Sequence, residues 1–238
     1  MPQVVYAIVP AAGLSMRLYG GKASKLDYKL PNGATVLEQC LSSLVESGVC
    51  QGIVVACREQ DIPEREKSLK KIVPESMELV LVPGGEDRQS SVQNALLEVK
   101  DRADFIMVHD AARPSCTKEL IQAVLKQGVE SGAAILAEKS SATVKYSNLK
   151  EGDNPIVEKT IDRERVWLAQ TPQVFSTELL IKAYSKAESD GFKATDESSL
   201  VENYGEAVSL VPGSSTNLKI TTKDDLQLVD QMFSTRPS

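Results

Sequence analysis

One histidine, one tryptophan and four cysteines without a C-x-x-C pair leave this 238-residue chain little equipment for metal or redox chemistry. A lone histidine, His109, excludes a His-rich metal site, argues against a Ser–His triad and reads as a packed residue. Cys40 sits on an apolar helical stripe and Cys57 closes an apolar run. With Cys50 and Cys116 they read as buried, reduced thiols rather than a zinc site or a redox dithiol. Long apolar runs are missing too, and no segment approaches membrane-spanning length. The apolar N-terminus lacks a basic leader and is interrupted by Arg17, so the chain reads as cytoplasmic or as a mature organellar protein. Positive charge is in deficit: 27 Lys and Arg against 33 Asp and Glu give a net charge of −6, which argues against a nucleic-acid binder. Any anionic ligand must be held by cations gathered locally.

Such a gathering exists near the start. Val4 to Val9 is apolar and β-branched, the mark of a buried strand. Pro10, Ala11, Ala12 and Gly13 follow, with no bulky side chain to keep a ligand off the backbone. Arg17, Lys22, Lys25 and Lys29 then face a single acid, Asp27. A strand that ends in a small-residue loop and then cations suits a polyphosphate, because peptide N–H groups can surround its oxygens. An ordinary strand-to-helix loop with solvated basic residues is the other reading.

The rest of the chain alternates. Strand-like GIVVAC, MELVLVP, DFIMVHD and AAILAE come between helical patterns, among them Val36-Leu37, Cys40-Leu41 and Leu44-Val45 before Gly48. Residues 62–72 read as a solvent-facing helix. This rhythm predicts an α/β fold with a largely parallel sheet covered on both faces. It breaks near Glu138. From about 138 to 166 the chain is polar, with TVKYS and PIVEKTI around SNLKEGDNP, which predicts a protruding β-arm inserted into one domain spanning 1–238. Core patterning returns with VWLAQTPQVF. Helices follow over 177–188, near 196–202 and from about 223, with a strand at AVSLVPG.

In open α/β sheets ligands gather at the C-terminal ends of the strands. Three unusual loops fall there: PAAGLSMR, GGEDRQSS and DAARP. A carboxylate at Asp110 can bind a ribose hydroxyl or a magnesium shell, or merely cap a turn. Ser90 and Ser91 stand near a helix start and read equally as caps; Gly84-Gly85 reads equally as a tight turn. A Rossmann fingerprint is absent, and Gly21-Lys22 is followed by Ala23 rather than the Ser or Thr of a P-loop. Nothing points to a covalent nucleophile.

PAAG-L-S-M-R, Ser-Lys, GG-E-D-R-Q-S-S-V, VHDAARP, IDR before W, TPQ, TDE and NLKIT occur in this order from about Tyr6 to Leu226. Together they resemble the 2-C-methyl-D-erythritol 4-phosphate cytidylyltransferases of the non-mevalonate isoprenoid pathway. The resemblance implies a Rossmann-like three-layer nucleotidyltransferase fold with a twisted sheet. It implies transfer of CMP from CTP to the sugar phosphate, with Mg²⁺ bridging the CTP phosphates. Pro10, Ala11, Ala12, Gly13, Gly85, Glu86 and the Ser91 hydroxyl would then hold cytosine and ribose, and Asp110 would contact both nucleotide and substrate. Arg17, Lys25 and Lys219 would surround the triphosphate. Arg113, Thr143, Arg163, Thr171 and Thr195 would hold the sugar phosphate, with Asp110 and Lys219 beside it. The arm bearing Thr143 and Arg163 would reach into a partner subunit, so the resemblance implies a homodimer with composite sites. No nucleic acid or membrane partner is expected.

Departures from the family pattern keep alternatives open. Ser15 replaces a usual glycine, Ser24 a usual proline, Glu86 an aspartate and Ala142 an aspartate beside Thr143. The loop from Arg17 to Lys25 is one residue longer than usual, so Lys22 rivals Lys25, which the following Leu-Asp-Tyr favours. Family relatives acting on alditol phosphates usually carry Gly-Gly where Ala11-Ala12 stands. A ribitol or other alditol-phosphate cytidylyltransferase and a non-catalytic CTP-binding regulator remain alternatives. A glycosyltransferase is less favoured, since no D-x-D follows a strand.

Overall fold

Apolar runs with no polar alternation belong in the middle of a sheet covered on both faces. The computed structural model describes residues 3–13, 24–147 and 154–234. In it β1 (Val5–Pro10) and β2 (Gly52–Cys57) lie side by side and parallel. β3 (Glu78–Pro83) extends the sheet beyond β2, and β4 (Phe105–Val108) lies on the other side of β1, both parallel. Three later strands, β5 (Ala133–Lys139), β8 (Trp167–Ser176) and β9 (Ser209–Pro212), complete the order β3-β2-β1-β4-β8-β5-β9.

Side chains alternate across this sheet and feed two cores. Ala7, Val9, Ile53 and Val55 pack with α1 (Val36–Ser47), α4 (Lys118–Ser131) and α7 (Lys223–Ser234) on one face. Ile8, Val54, Ile106 and Val108 pack with α3 (Arg88–Val99), α5 (Thr177–Asp190) and α6 (Glu197–Tyr204) on the other. The result is the three-layer α/β arrangement the βα rhythm predicts. α1 follows its pattern closely: Thr35 and Glu38 form a capping box, the apolar stripe is buried, and Gly48 ends the helix at φ 70°. α2 (Ile62–Leu69) is solvent-facing as expected, with only Leu69 buried. All four cysteines are buried and unpaired, and burial pushes the Cys50 and Cys116 thiols up to about 12.

β8 departs from the sequential rhythm. It runs antiparallel to both β4 and β5 and separates them in the sheet. Its first residues are also no part of the core: Trp167 is 36% and Leu168 53% exposed, and full burial starts at Gln170. That end of β8 pairs with the far end of β5, where the chain has left the layered part of the sheet. Between β5 and β8 the chain forms a two-stranded antiparallel ribbon of β6 (Val144–Tyr146) and β7 (Lys159–Ile161), then a 3₁₀ turn over Arg163–Arg165.

His109, just beyond β4, is fully buried. Its Nε2 lies 3.3 Å from the carbonyl of Arg113, which can only accept, so this nitrogen carries the proton. Nδ1 then accepts from the Thr171 hydroxyl at 3.0 Å, and that hydroxyl accepts the Asp110 N–H at 3.0 Å. Burial holds the imidazole neutral, with a pKa lowered from 6.5 to about 4. The unfolded chain therefore binds a proton between pH 6.5 and 4 that the native state refuses, so stability falls as pH drops through that window. Glu197, whose carboxyl burial raises, works in the opposite direction. Urea unfolding followed across this window should lose on the order of 3 kcal/mol from His109, less the Glu197 contribution. A His109→Gln variant should show a much flatter dependence.

Candidate active site

The C-terminal ends of the parallel strands meet at one rim, and small residues let their loops touch. The Ala11 N–H continues the ladder to the Ala56 carbonyl at 2.7 Å, and the Gly84 N–H does the same to Cys57 at 2.8 Å. A Cβ on Gly84 would collide with the Cβ of Ala12. Neither Gly84 nor Gly85 has positive φ, so close approach, and not a tight turn, explains this pair. The loop then enters α3 through a capping box between Asp87 and Ser90. Ser91 ties it from beneath, its hydroxyl accepting the Gly85 N–H at 3.0 Å and donating to the Asp87 carbonyl at 2.7 Å.

Over these loops lies a cavity of about 630 Å³, in the range of small-molecule sites. Pro10, Ala11, Ala12, Gly13, Gly85, Glu86 and Ser91 line one part. Lys25, Arg88, Asp110 and Lys219 line another, and Arg58 adds a further cation from the end of β2. Sequence positions as distant as 25, 110 and 219 meet because the last loop is pinned to the β4 loop. The Ile220 N–H donates to Ala112 at 2.9 Å, and the Lys25 ammonium donates to the Ile220 carbonyl at 2.6 Å. Arg113 Nη1 reaches the Asn217 carbonyl at 2.5 Å, and Asn217 Nδ2 donates to Thr171 at 2.8 Å.

Asp110 is the hub. Its carboxylate takes Arg88 Nε at 3.1 Å on Oδ1 and Lys219 Nζ at 2.6 Å on Oδ2, with Arg113 Nε 3.9 Å away. Burial alone would raise this carboxyl, but the charges of Arg88 and Lys219 hold it well below the usual carboxylate range. Arg88 in turn forks onto both oxygens of the buried Glu197, at 2.9 Å each. Burial opposes the Arg88 charge, and the two carboxylates overcome it and keep the guanidinium protonated. The cluster carries more positive than negative groups in a partly desolvated cleft, an arrangement that can neutralise a polyphosphate.

Other residues singled out in the sequence lie elsewhere. Arg17, Ser15 and the rival Lys22 fall outside the described residues. Thr171 is buried, its hydroxyl engaged by His109 and Asp110. Thr195 is exposed just before the Asp196 cap of α6. Thr143 and Arg163 are exposed on the ribbon, away from the cavity lining. They stand near one another because Val144 pairs with Ile161, and Arg163 reaches the Ser141 carbonyl at 3.4 Å. Sequence reasoning missed Arg58, Arg88 and Glu197. A signal existed for Arg88: a cation in the first turn of a helix opposes the helix dipole and calls for an acidic partner.

The family model described as 2-C-methyl-D-erythritol 4-phosphate cytidylyltransferase matches residues 5–235. A protein of that name from Syntrophus aciditrophicus is 38% identical over 229 residues, 96% of this chain and 95% of the relative. Among solved structures, the 4-diphosphocytidyl-2C-methyl-D-erythritol synthase of Anaerococcus prevotii superposes with a TM-score of 0.83 at 27% identity, covering 98% of this chain and 100% of that one. The 2-C-methyl-D-erythritol 4-phosphate cytidylyltransferase of Francisella tularensis gives 0.79 at 35% identity, covering 96% and 99%. With the family model spanning nearly the whole sheet and every strand-end loop of the cavity, the chain belongs to the 2-C-methyl-D-erythritol 4-phosphate cytidylyltransferase family.

Proposed function

We propose that the protein transfers CMP from CTP to 2-C-methyl-D-erythritol 4-phosphate, forming 4-diphosphocytidyl-2-C-methyl-D-erythritol and pyrophosphate in the non-mevalonate isoprenoid pathway. The observation that carries this reading is the convergence of Lys25, Arg88 and Lys219 around Asp110 in a cleft whose other wall is small-residue backbone. Cytosine and ribose would lie against Pro10 to Gly13, Gly85 and Glu86, with Ser91 holding the loop in shape. The triphosphate would face Lys25 and Lys219, joined by Arg17.

A phosphate oxygen of the sugar phosphate attacks the α-phosphorus of CTP in line. The bond from that phosphorus to the bridging oxygen breaks, and pyrophosphate leaves with the electron pair. Both reactants are anions, so the protein's work is to position them and offset their repulsion. Lys25 and Arg17 meet charge growing on the α-phosphoryl oxygens and leaving group. Arg113 would draw the acceptor phosphate toward this end of the cleft, and the Asp110 carboxylate would accept from a sugar hydroxyl.

Among the described residues no three His, Cys, Asp or Glu side chains group to hold a metal by themselves. Asp110 beside a triphosphate suits Mg²⁺ held mainly by phosphate oxygens and water. Bound there, the ion would add to the neutralisation of the phosphates, and Asp110, which already carries Arg88 and Lys219, is the carboxylate that would hold it.

The ribbon supports a homodimer. It exposes Tyr146, Ile156 and Val157, with Ile156 78% exposed, apolar surface that a second copy would cover. Thr143 and Arg163 would then serve the partner's cavity, while the exposed Thr195 would belong to the acceptor site on the protein's own body. Thr171, its hydroxyl taken up by His109 and the Asp110 N–H, would act there only through Asp110. The expected location is the cytoplasm, with its pool of CTP.

Pyrophosphate release with Mg²⁺ and methylerythritol phosphate should be fast with CTP and slow with ATP, GTP or UTP. Ribitol phosphate as the better acceptor would reassign the substrate. Lys25→Met or Arg17→Met should lower kcat on the order of 10²–10³, the scale of one transition-state donor. Near-native turnover by Lys25→Met would move the role to Lys22. Arg163→Ala should raise KM for the sugar phosphate and spare kcat, since it grips an end that does not react.

A further inference from the structure

Glu197 lies outside the cavity lining and is 1% exposed, yet it controls a side chain that faces the cavity. Its two oxygens take Nη1 and Nη2 of Arg88 at 2.9 Å each. The guanidinium is planar, so docking two of its nitrogens on one carboxylate fixes the direction of the third. That third group, Nε, meets Asp110 Oδ1 at 3.1 Å and leaves Oδ2 for Lys219 at 2.6 Å.

Glu197 is itself firmly seated. The Tyr184 hydroxyl stands 3.3 Å from Oε1 and 3.3 Å from the Gln89 carbonyl, one proton shared between two acceptors. Gln173, 1% exposed on β8, accepts the Ser198 N–H at 3.1 Å and donates to Asp196 at 2.7 Å, so the start of α6 is bolted to the strand beside β4. Gln173 thus holds the residues on either side of Glu197 to the sheet, and from the Glu197 carboxylate hydrogen bonds run through Arg88 to the Asp110–Lys219 pair.

We propose that Glu197 is a positioning residue for nucleotidyl transfer, acting through the Arg88 fork to aim Asp110 and hence the Lys219 ammonium. The proposal rests on the function inferred above. A neutral side chain at 197 frees the fork, lets Arg88 take both oxygens of Asp110, and displaces Lys219. The site gains net positive charge, so nucleotide binding does not weaken while the aim of Lys219 is lost.

The test is a double-mutant cycle of Glu197→Gln and Lys219→Met, with kcat and KM measured for both substrates. Glu197→Gln should lower kcat about tenfold or more while KM for CTP stays level or falls. In the Lys219→Met background the same change should cost less than about twofold, because the group it acts on is gone. Arg88→Lys keeps the charge and loses the fork, and should behave like Glu197→Gln; it carries the cycle if that variant does not fold. Equal losses in both backgrounds, or an unchanged kcat, would overturn the proposal. A wild-type enzyme without turnover would sink the proposed function instead. The crystal structure of Glu197→Gln judges this proposal regardless: Lys219 should have left Asp110 Oδ2, and a contact retained near 2.6 Å refutes it.

Discussion

The arrangement depends on one buried carboxylate among cations. Arg88, Arg113 and Lys219 all approach Asp110, and Lys25 is held one residue away from Lys219 through the Ile220 carbonyl. Without Asp110 these groups would repel one another in a cleft where water screens them poorly. With it they are preassembled, and their arrangement need not be organised afresh when phosphates arrive. The anion is stabilised in turn: Arg88 and Lys219 outweigh the desolvation that would otherwise neutralise it.

The sheet explains how an acidic chain sustains this local field. Parallel strands deliver their C-terminal loops to one rim, so charges far apart in sequence can be concentrated while the rest of the surface stays acidic. The small residues at Ala12 and Gly84 let the first and third of these loops touch. Their contact leaves backbone, rather than side chains, to face a ligand at that end of the cavity. Polar recognition and charge neutralisation therefore occupy different parts of one cleft.

Much of this was legible in the sequence because local signals suffice for it. Val5–Pro10, Gly52–Cys57 and Phe105–Val108 read as buried strands from their own composition, and Gly48 marked a helix end. The strand-end rule and the family resemblance drew Gly13, Lys25, Gly85, Asp110 and Lys219 toward one rim, and all line the cavity. The insertion of β8 between β4 and β5 was not legible, since an antiparallel pairing across some seventy residues leaves no local trace. Nor was the inward turn of Thr171, whose hydroxyl is engaged by His109 and the Asp110 N–H, partners some sixty residues away that only the fold brings close. Polar residue type gives the capacity for a contact; burial decides what uses it.

The same late strand has a consequence for biosynthesis. As the chain emerges from the ribosome, β1 to β4 can pair among themselves, but the outer edge of β4 waits for residues up to Ser176 to be made. Until then a row of unpaired peptide groups flanks an apolar surface, the kind of edge that invites wrong partners. The time taken to translate residues 109–176, with α4, β5 and the ribbon among them, thus bounds from below how long the nascent protein carries that hazard.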